Sequence, residues 1–135
     1  MRMNITAANR YTSTLALMTA LTLFAPFAPA ADIMVDREFE FASGLIEMGF
    51  ADYAGKVVEQ LLLKHPEVKE RTKLITAQIM ISKKQYTDAE ALIASFPATD
   101  PKAQTISLAL ANGYFGANEM DKAKALYDAF FKQYG

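Results

Sequence analysis

The stretch Leu110-Ala-Asn-Gly-Tyr-Phe-Gly-Ala-Asn-Glu-Met-Asp-Lys-Ala-Lys-Ala-Leu-Tyr-Asp-Ala-Phe130 decides the fold of this chain. It carries two apolar stripes with a turn-like segment, Gly116-Ala117-Asn118, between them. In the second stripe Ala123, Tyr127 and Phe130 stand at i, i+4 and i+7, which puts them on one face of a helix. In the first, Ala111 is followed three residues later by Tyr114, again helical spacing. Two antiparallel helices approach closely only where side chains are small, and Ala111 and Ala123, twelve residues apart, supply such a crossing point. The stretch predicts a helical hairpin.

The same pattern occurs twice more upstream. The intervals from Ala54 to Ala89 and from Ala89 to Ala123 are 35 and 34, and Ala42, Ala77 and Ala111 precede these three by twelve each. Val58, Ile93 and Tyr127 follow the second set at i+4, and Leu61, Phe96 and Phe130 at i+7. Leu45, Met80 and Tyr114 follow the first set at i+3. Met48-Gly49-Phe50 and Lys83-Lys84-Gln85 stand where Gly116-Ala117-Asn118 does. Pro66 and Pro101 fall twelve residues after Ala54 and Ala89, with Gly135 in the equivalent place after Ala123. The units run over about 35–69, 70–103 and 104–135. Six helices are expected, at about 37–48, 51–64, 67–83, 87–96, 101–116 and 119–133, and no segment alternates as a strand does. A single hairpin cannot bury its apolar faces alone, so neighbouring hairpins must stack. Asp100-Pro101 reads as an N-cap with proline at the first helical position. Thr87-Asp-Ala-Glu90 has capping-box spacing. Asn118 is placed to cap the last helix, and Pro97 to stop the fourth after Phe96.

These residues resemble the tetratricopeptide repeat family over roughly residues 35 to 135. Phe41-Ala42 and Leu110-Ala111 match its large-then-small pair, and Thr76-Ala77 matches at the small position. Leu45, Met80 and Tyr114, the three anchor alanines, Pro66 and Pro101 meet its remaining positions. Its tryptophan near the start of each unit is absent, with Glu38, Lys73 and Ser107 standing there. The resemblance implies an all-α fold, an α-solenoid of three helix-turn-helix hairpins, and a concave groove lined by the first helices that holds a peptide or partner domain. Carried over unit by unit, that groove takes Phe39, Ser43, Ile46 and Glu47, with Asp36 beside them. It then takes Arg71, Leu74, Gln78 and Ile81, with Ser82, and finally Leu108, Asn112 and Phe115, with Thr105. Phe39 and Phe115 are the aromatic anchors. The other reading of Phe39 and Ile46 has them packed on the segment Asp32 to Val35, or the whole set covered by a further neighbour. A clamp for a C-terminal carboxylate is not expected, because Phe39, Ser43, Leu74, Ile75, Thr105 and Ala109 occupy its positions.

Ahead of the repeats, residues 1–30 have the layout of a secretory signal peptide. Arg2 and Arg10 fall in a leader without acidic residues, Tyr11 to Phe27 is uncharged and mostly apolar, and Ala28-Pro29-Ala30 offers small residues for cleavage. An uncleaved anchor is the competing reading, but the apolar run is shorter than a membrane span and contains Pro26 and Pro29. The domain 31–135 then follows, with 12 basic residues against 15 acidic, since Arg2 and Arg10 account for two of the 14 basic residues of the chain. Its net charge of −3 does not favour nucleic acid. With no cysteine there is no disulfide framework, no thiolate metal site and no acceptor for a lipid anchor. The expected address is the periplasm, with secretion beyond the cell as the alternative and membrane contact only in transit.

Catalysis is not expected. His65 is the one histidine, beside Pro66 at a repeat junction. No serine lies in a Gly-x-Ser-x-Gly elbow, no glycine-rich phosphate loop occurs, and Asp36, Glu38, Glu40 and Glu47 spread along a helix as on a solvated face. No catalytic residue, metal or cofactor is expected. The function expected is that of a scaffold or adaptor holding a protein or peptide partner in the cell envelope. The alternative is the N-terminal solenoid of a longer exported protein whose activity lies downstream. The last hairpin has no covering helix before Gly135, which raises self-association through that end.

Overall fold

A computed structural model describes residues 30–134 of the chain. Contacts group residues 36–135 into one unit. Of the other, which ends at Val35, the described residues 30–35 are helical. The signal peptide expected at 1–30 lies outside the described residues but for Ala30.

The protein is all-helical. Six α-helices occur among the described residues: α1 Ala30–Glu47, α2 Ala51–Lys64, α3 Lys69–Ser82, α4 Tyr86–Ile93, α5 Pro101–Gly116 and α6 Met120–Tyr134. A 3-10 turn, Pro66–Val68, leads into α3. No described helix is long and apolar enough to cross a membrane.

The repeat is visible in the backbone itself. Helix α1 ends with Gly49 N–H donating to Ile46 O at 2.9 Å and Phe50 N–H to Leu45 O at 2.7 Å. Helix α3 ends with Lys84 to Ile81 at 2.9 Å and Gln85 to Met80 at 2.8 Å, and α5 with Asn118 to Phe115 at 3.0 Å and Glu119 to Tyr114 at 2.9 Å. These are three Schellman motifs on the same period as the alanines, each satisfying the last carbonyls of a helix. Each turns on one left-handed residue: Gly49 at φ +85°, Lys84 at +62° and Asn118 at +63°. Glycine and asparagine take that conformation at low steric cost.

The six alanines picked out by the period are all buried. Ala42, Ala54, Ala77, Ala89 and Ala111 have no exposed surface, and Ala123 has 1%. Around them lie two cores. One joins Ala42, Ala51, Ala54 and Val58 of the first hairpin to Ile75 and Ile79 of α3. The other joins Ala77, Ala89 and Ile93 of the second hairpin to Ile106, Leu110, Tyr114 and Ala123 of the third. Helix α3 therefore feeds both, and it also packs beside α5. The first core thus joins the first hairpin to α3, and the second joins the second hairpin to the third.

Among the described residues Tyr114 is the largest fully buried side chain. Its hydroxyl donates to Glu90 Oε2 at 2.6 Å, and its ring lies 5.4 Å from that of Tyr86. Lys122 Nζ stands 4.9 Å from its centroid. Gly113 beside it keeps the space free: a Cβ there would meet Tyr86 Cε1 at 2.5 Å. Burial, and then the bond to Glu90, raise the Tyr114 phenol above its ordinary range. The fold thus holds the neutral phenol. Its stabilisation is complete below the unfolded phenol value, about 10, and is lost as pH rises toward the folded one. Exposed Lys122 and Lys124, raised by hydrogen bonds to Glu119 and Asp128, also titrate at alkaline pH. A Tyr114→Phe variant should show a shallower alkaline fall in melting temperature, not a flat one, when melts are recorded above pH 10.

Several local expectations shift. Helix α1 begins at Ala30, seven residues before the expected start at 37, and α4 covers Tyr86–Ile93 instead of 87–96. Pro97 has no N–H to give the Ile93 carbonyl, which Phe96 N–H takes at 3.0 Å, while Ser95 Oγ donates to Leu92 O at 2.6 Å. Thr87 does not cap α4, because the N-cap is Gln85, with no side-chain bond. Asn118 does not cap α6, since its place is the left-handed turn residue. The last turn accordingly centres one residue later than Gly116-Ala117-Asn118. Asp100 does cap α5, its Oδ1 accepting from the N–H groups of Lys102 at 2.8 Å and Ala103 at 3.1 Å.

Candidate functional site

Helices α1, α3 and α5 hold the first place in their hairpins, and side chains from all three line one open cleft of about 600 Å³. Phe39 and Ser43 come from α1, Arg71, Leu74, Ile75 and Gln78 from α3, and Lys102, Thr105 and Ile106 from α5. Phe96 and Asp100, from the turn after α4, close one side, and Glu70 stands at the rim. The α3 residues recur at three and four positions, so one stripe of that helix runs along the cleft.

Ile75 and Ile106 are buried beneath it, Phe39, Leu74, Gln78 and Phe96 are half-buried, and Arg71, Lys102 and Thr105 are exposed. Charges at the rim are mostly paired. Arg71 forms an ion pair with Asp36, and its guanidinium lies 4.8 Å above the Phe39 ring. Glu70 pairs with Lys73 at 2.6 Å. The Asp100 carboxylate is held by the α5 N-terminus. Thr105 Oγ1 donates to Pro101 O at 3.0 Å. Among the described residues Lys102 makes no ion pair. The surface a ligand would meet is therefore mixed: Phe39, Leu74 and Phe96 supply its apolar part, Ser43, Gln78 and Thr105 its neutral polar points, and ion-paired Arg71 and unpaired Lys102 its positive charge.

Of the residues assigned to a groove from the sequence, Phe39, Ser43, Arg71, Leu74 and Gln78 are brought together here, with Thr105. The cleft lining does not include Ile46, Glu47, Ile81, Leu108, Asn112 or Phe115. Ile46 packs on the first core and Ile81 on the second, and Leu108 is half-buried. Glu47 and Phe115 are exposed, and Asn112 Oδ1 accepts from the Tyr127 hydroxyl at 2.6 Å, tying α5 to α6. The groove set read from the sequence lacked Glu70, Ile75, Phe96, Asp100, Lys102 and Ile106, which also line the cleft. The signal for Phe96 was Pro97, which ends α4 early and turns position 96 from a helical stripe into a cleft wall.

Outside the cleft, His65 is half-buried and its Nδ1 lies 3.0 Å from Glu67 Oε1. No cluster of three or more metal-ligating side chains occurs among the described residues. Compared with family models, with curated proteins and with solved structures, the chain finds no match.

Proposed function

We propose that this chain is an exported, non-catalytic interaction module of the tetratricopeptide type, which holds a peptide or partner domain in the cleft between α1, α3 and α5. The observation that carries the reading is that cleft. Three helices equivalent in the repeat contribute to one cleft in which apolar side chains alternate with polar and charged ones, a composition suited to a peptide held by both side-chain pockets and hydrogen bonds. Half-buried aromatic and aliphatic side chains at its centre are suited to act as anchors. The signal-peptide layout of residues 1–30 and the absence of cysteine support an address in the cell envelope. The absence of a nucleophile elbow or phosphate loop supports binding without chemistry.

The test is a randomised displayed-peptide library screened against the chain, with recovered peptides measured by fluorescence anisotropy. Phe39→Ala combined with Gln78→Ala should weaken their binding by roughly 10-fold or more. The far-UV circular dichroism spectrum should stay that of the parent. Recovered peptides that bind the double variant as well as the parent would place the site elsewhere, and an empty screen would count against the reading altogether.

A further inference from the structure

We propose that a second copy of this chain docks head to tail, seating its α6 on the open face of the first hairpin. The surface in question is separate from the cleft. Phe41, Leu45, Tyr53 and Val57, from α1 and α2, line a mostly apolar depression of about 290 Å³ rimmed by Glu38 and Lys56. Phe41 is 57% exposed and Tyr53 60%.

The repeat register says what this face is for. Shifted by two repeats, Phe41, Leu45 and Val57 become Leu110, Tyr114 and Leu126 of the third hairpin. Those three pack into the core shared with the second hairpin, and Tyr114 bonds Glu90 of α4. In the third hairpin, then, this face receives the second helix of the hairpin before. No hairpin precedes the first among the described residues, and its equivalent face stands open.

The size of one residue pair identifies the occupant. Where the third hairpin meets the second, Gly113 leaves room for Tyr86, the first residue of α4. Where the second meets the first, the equivalent positions are Ile79 and Ala51, which share one core. The pairing is small with large, then large with small. On the open face the equivalent position is Gly44, and nothing lies within 4 Å of where its Cβ would stand. A helix docking there needs a large apolar residue at its start. The residue of α6 equivalent to Tyr86 is Met120, which is 47% exposed. Phe131 near the other end of α6 is 64% exposed. Each copy therefore presents both halves of the contact, a slot at Gly44 and a plug at Met120. Because the two halves lie on different faces, the contact is heterologous and leaves a free slot and a free plug after each addition.

The experiment is sedimentation of the chain of residues 1–135 across the widest concentration range its solubility allows. The expected result is a mass that rises with concentration beyond two copies. Gly44→Phe fills the slot from open space, and Met120→Glu charges the plug; each variant alone should stay at one chain with the parent's circular dichroism. Mixed together they should form a dimer and stop there, since each supplies the half the other retains. A parent that stays monomeric overturns the proposal. So does assembly that survives either substitution, or single variants that fail to complement when mixed, as a symmetric slot-to-slot contact would.

Discussion

Replacing Tyr114 by alanine is expected to lower stability by about 3–5 kcal/mol, the usual cost of deleting a fully buried aromatic ring. For a domain of this size that corresponds to roughly 15–30 °C of melting temperature. The ring belongs to the core shared by the second and third hairpins and also lies against Tyr86. Removing it opens a cavity in that core, and Ala111 and Gly113 beside it on α5, with one methyl group between them, have almost nothing to fill the gap. Little of the loss comes from the hydroxyl. Its acceptor Glu90 is exposed and can return to water, so Tyr114→Phe should cost only about 1 kcal/mol. Thermal melts of the two variants followed by circular dichroism separate the contributions. An alanine variant melting within a few degrees of the phenylalanine variant would mean that the hairpin junction does not depend on the ring.

The fold was legible in the sequence where a single residue's size is the whole requirement. Six alanines on one shared period name the crossing points, and all six are buried to within 1% of full enclosure. Element ends were less legible. Thr87 and Gln85 compete to begin α4 within two residues, and the winner follows from the Schellman turn at Lys84, whose left-handed conformation no lysine advertises. Asn118 illustrates the same difficulty, since asparagine favours both a helix N-cap and a left-handed turn. The cleft was half legible. Phe39, Ser43, Arg71, Leu74 and Gln78 are groove positions that the family resemblance implies on α1 and α3, and the cleft includes them. Phe96, Asp100 and Lys102 enter through the turn after α4, whose path depends on the missing N–H of Pro97 and the Asp100 cap. Of the set expected on α5, Thr105 lines the cleft beside Lys102 and Ile106, while Leu108, Asn112 and Phe115 sit nearer the C-terminal end of the helix. Periodicity says which residues share a face, not how far along it two helices meet.

The same substitution made two residues apart tests the register directly. Ala89 and Ala91 both lie in α4, and Ala89 is fully buried while Ala91 is exposed. Ala89→Leu adds three carbons at a helix crossing, where the core that includes Ala77 leaves no volume to receive them. Overpacking of this kind typically costs about 1–3 kcal/mol. The upper end or beyond is expected here, because α4 has only eight residues and cannot tilt away without losing its remaining contacts. Ala91→Leu meets solvent and should change stability by no more than about 0.5 kcal/mol. Urea midpoints read by circular dichroism suit the comparison, since the chain has no tryptophan to report by fluorescence. Ala123 and Ala125 repeat the arrangement in α6, one buried and one exposed, a single repeat further on. The same contrast is expected there. Equal effects at 89 and 91, or a contrast that fails to recur at 123 and 125, would mean that the period of alanines does not mark the points where the hairpins close.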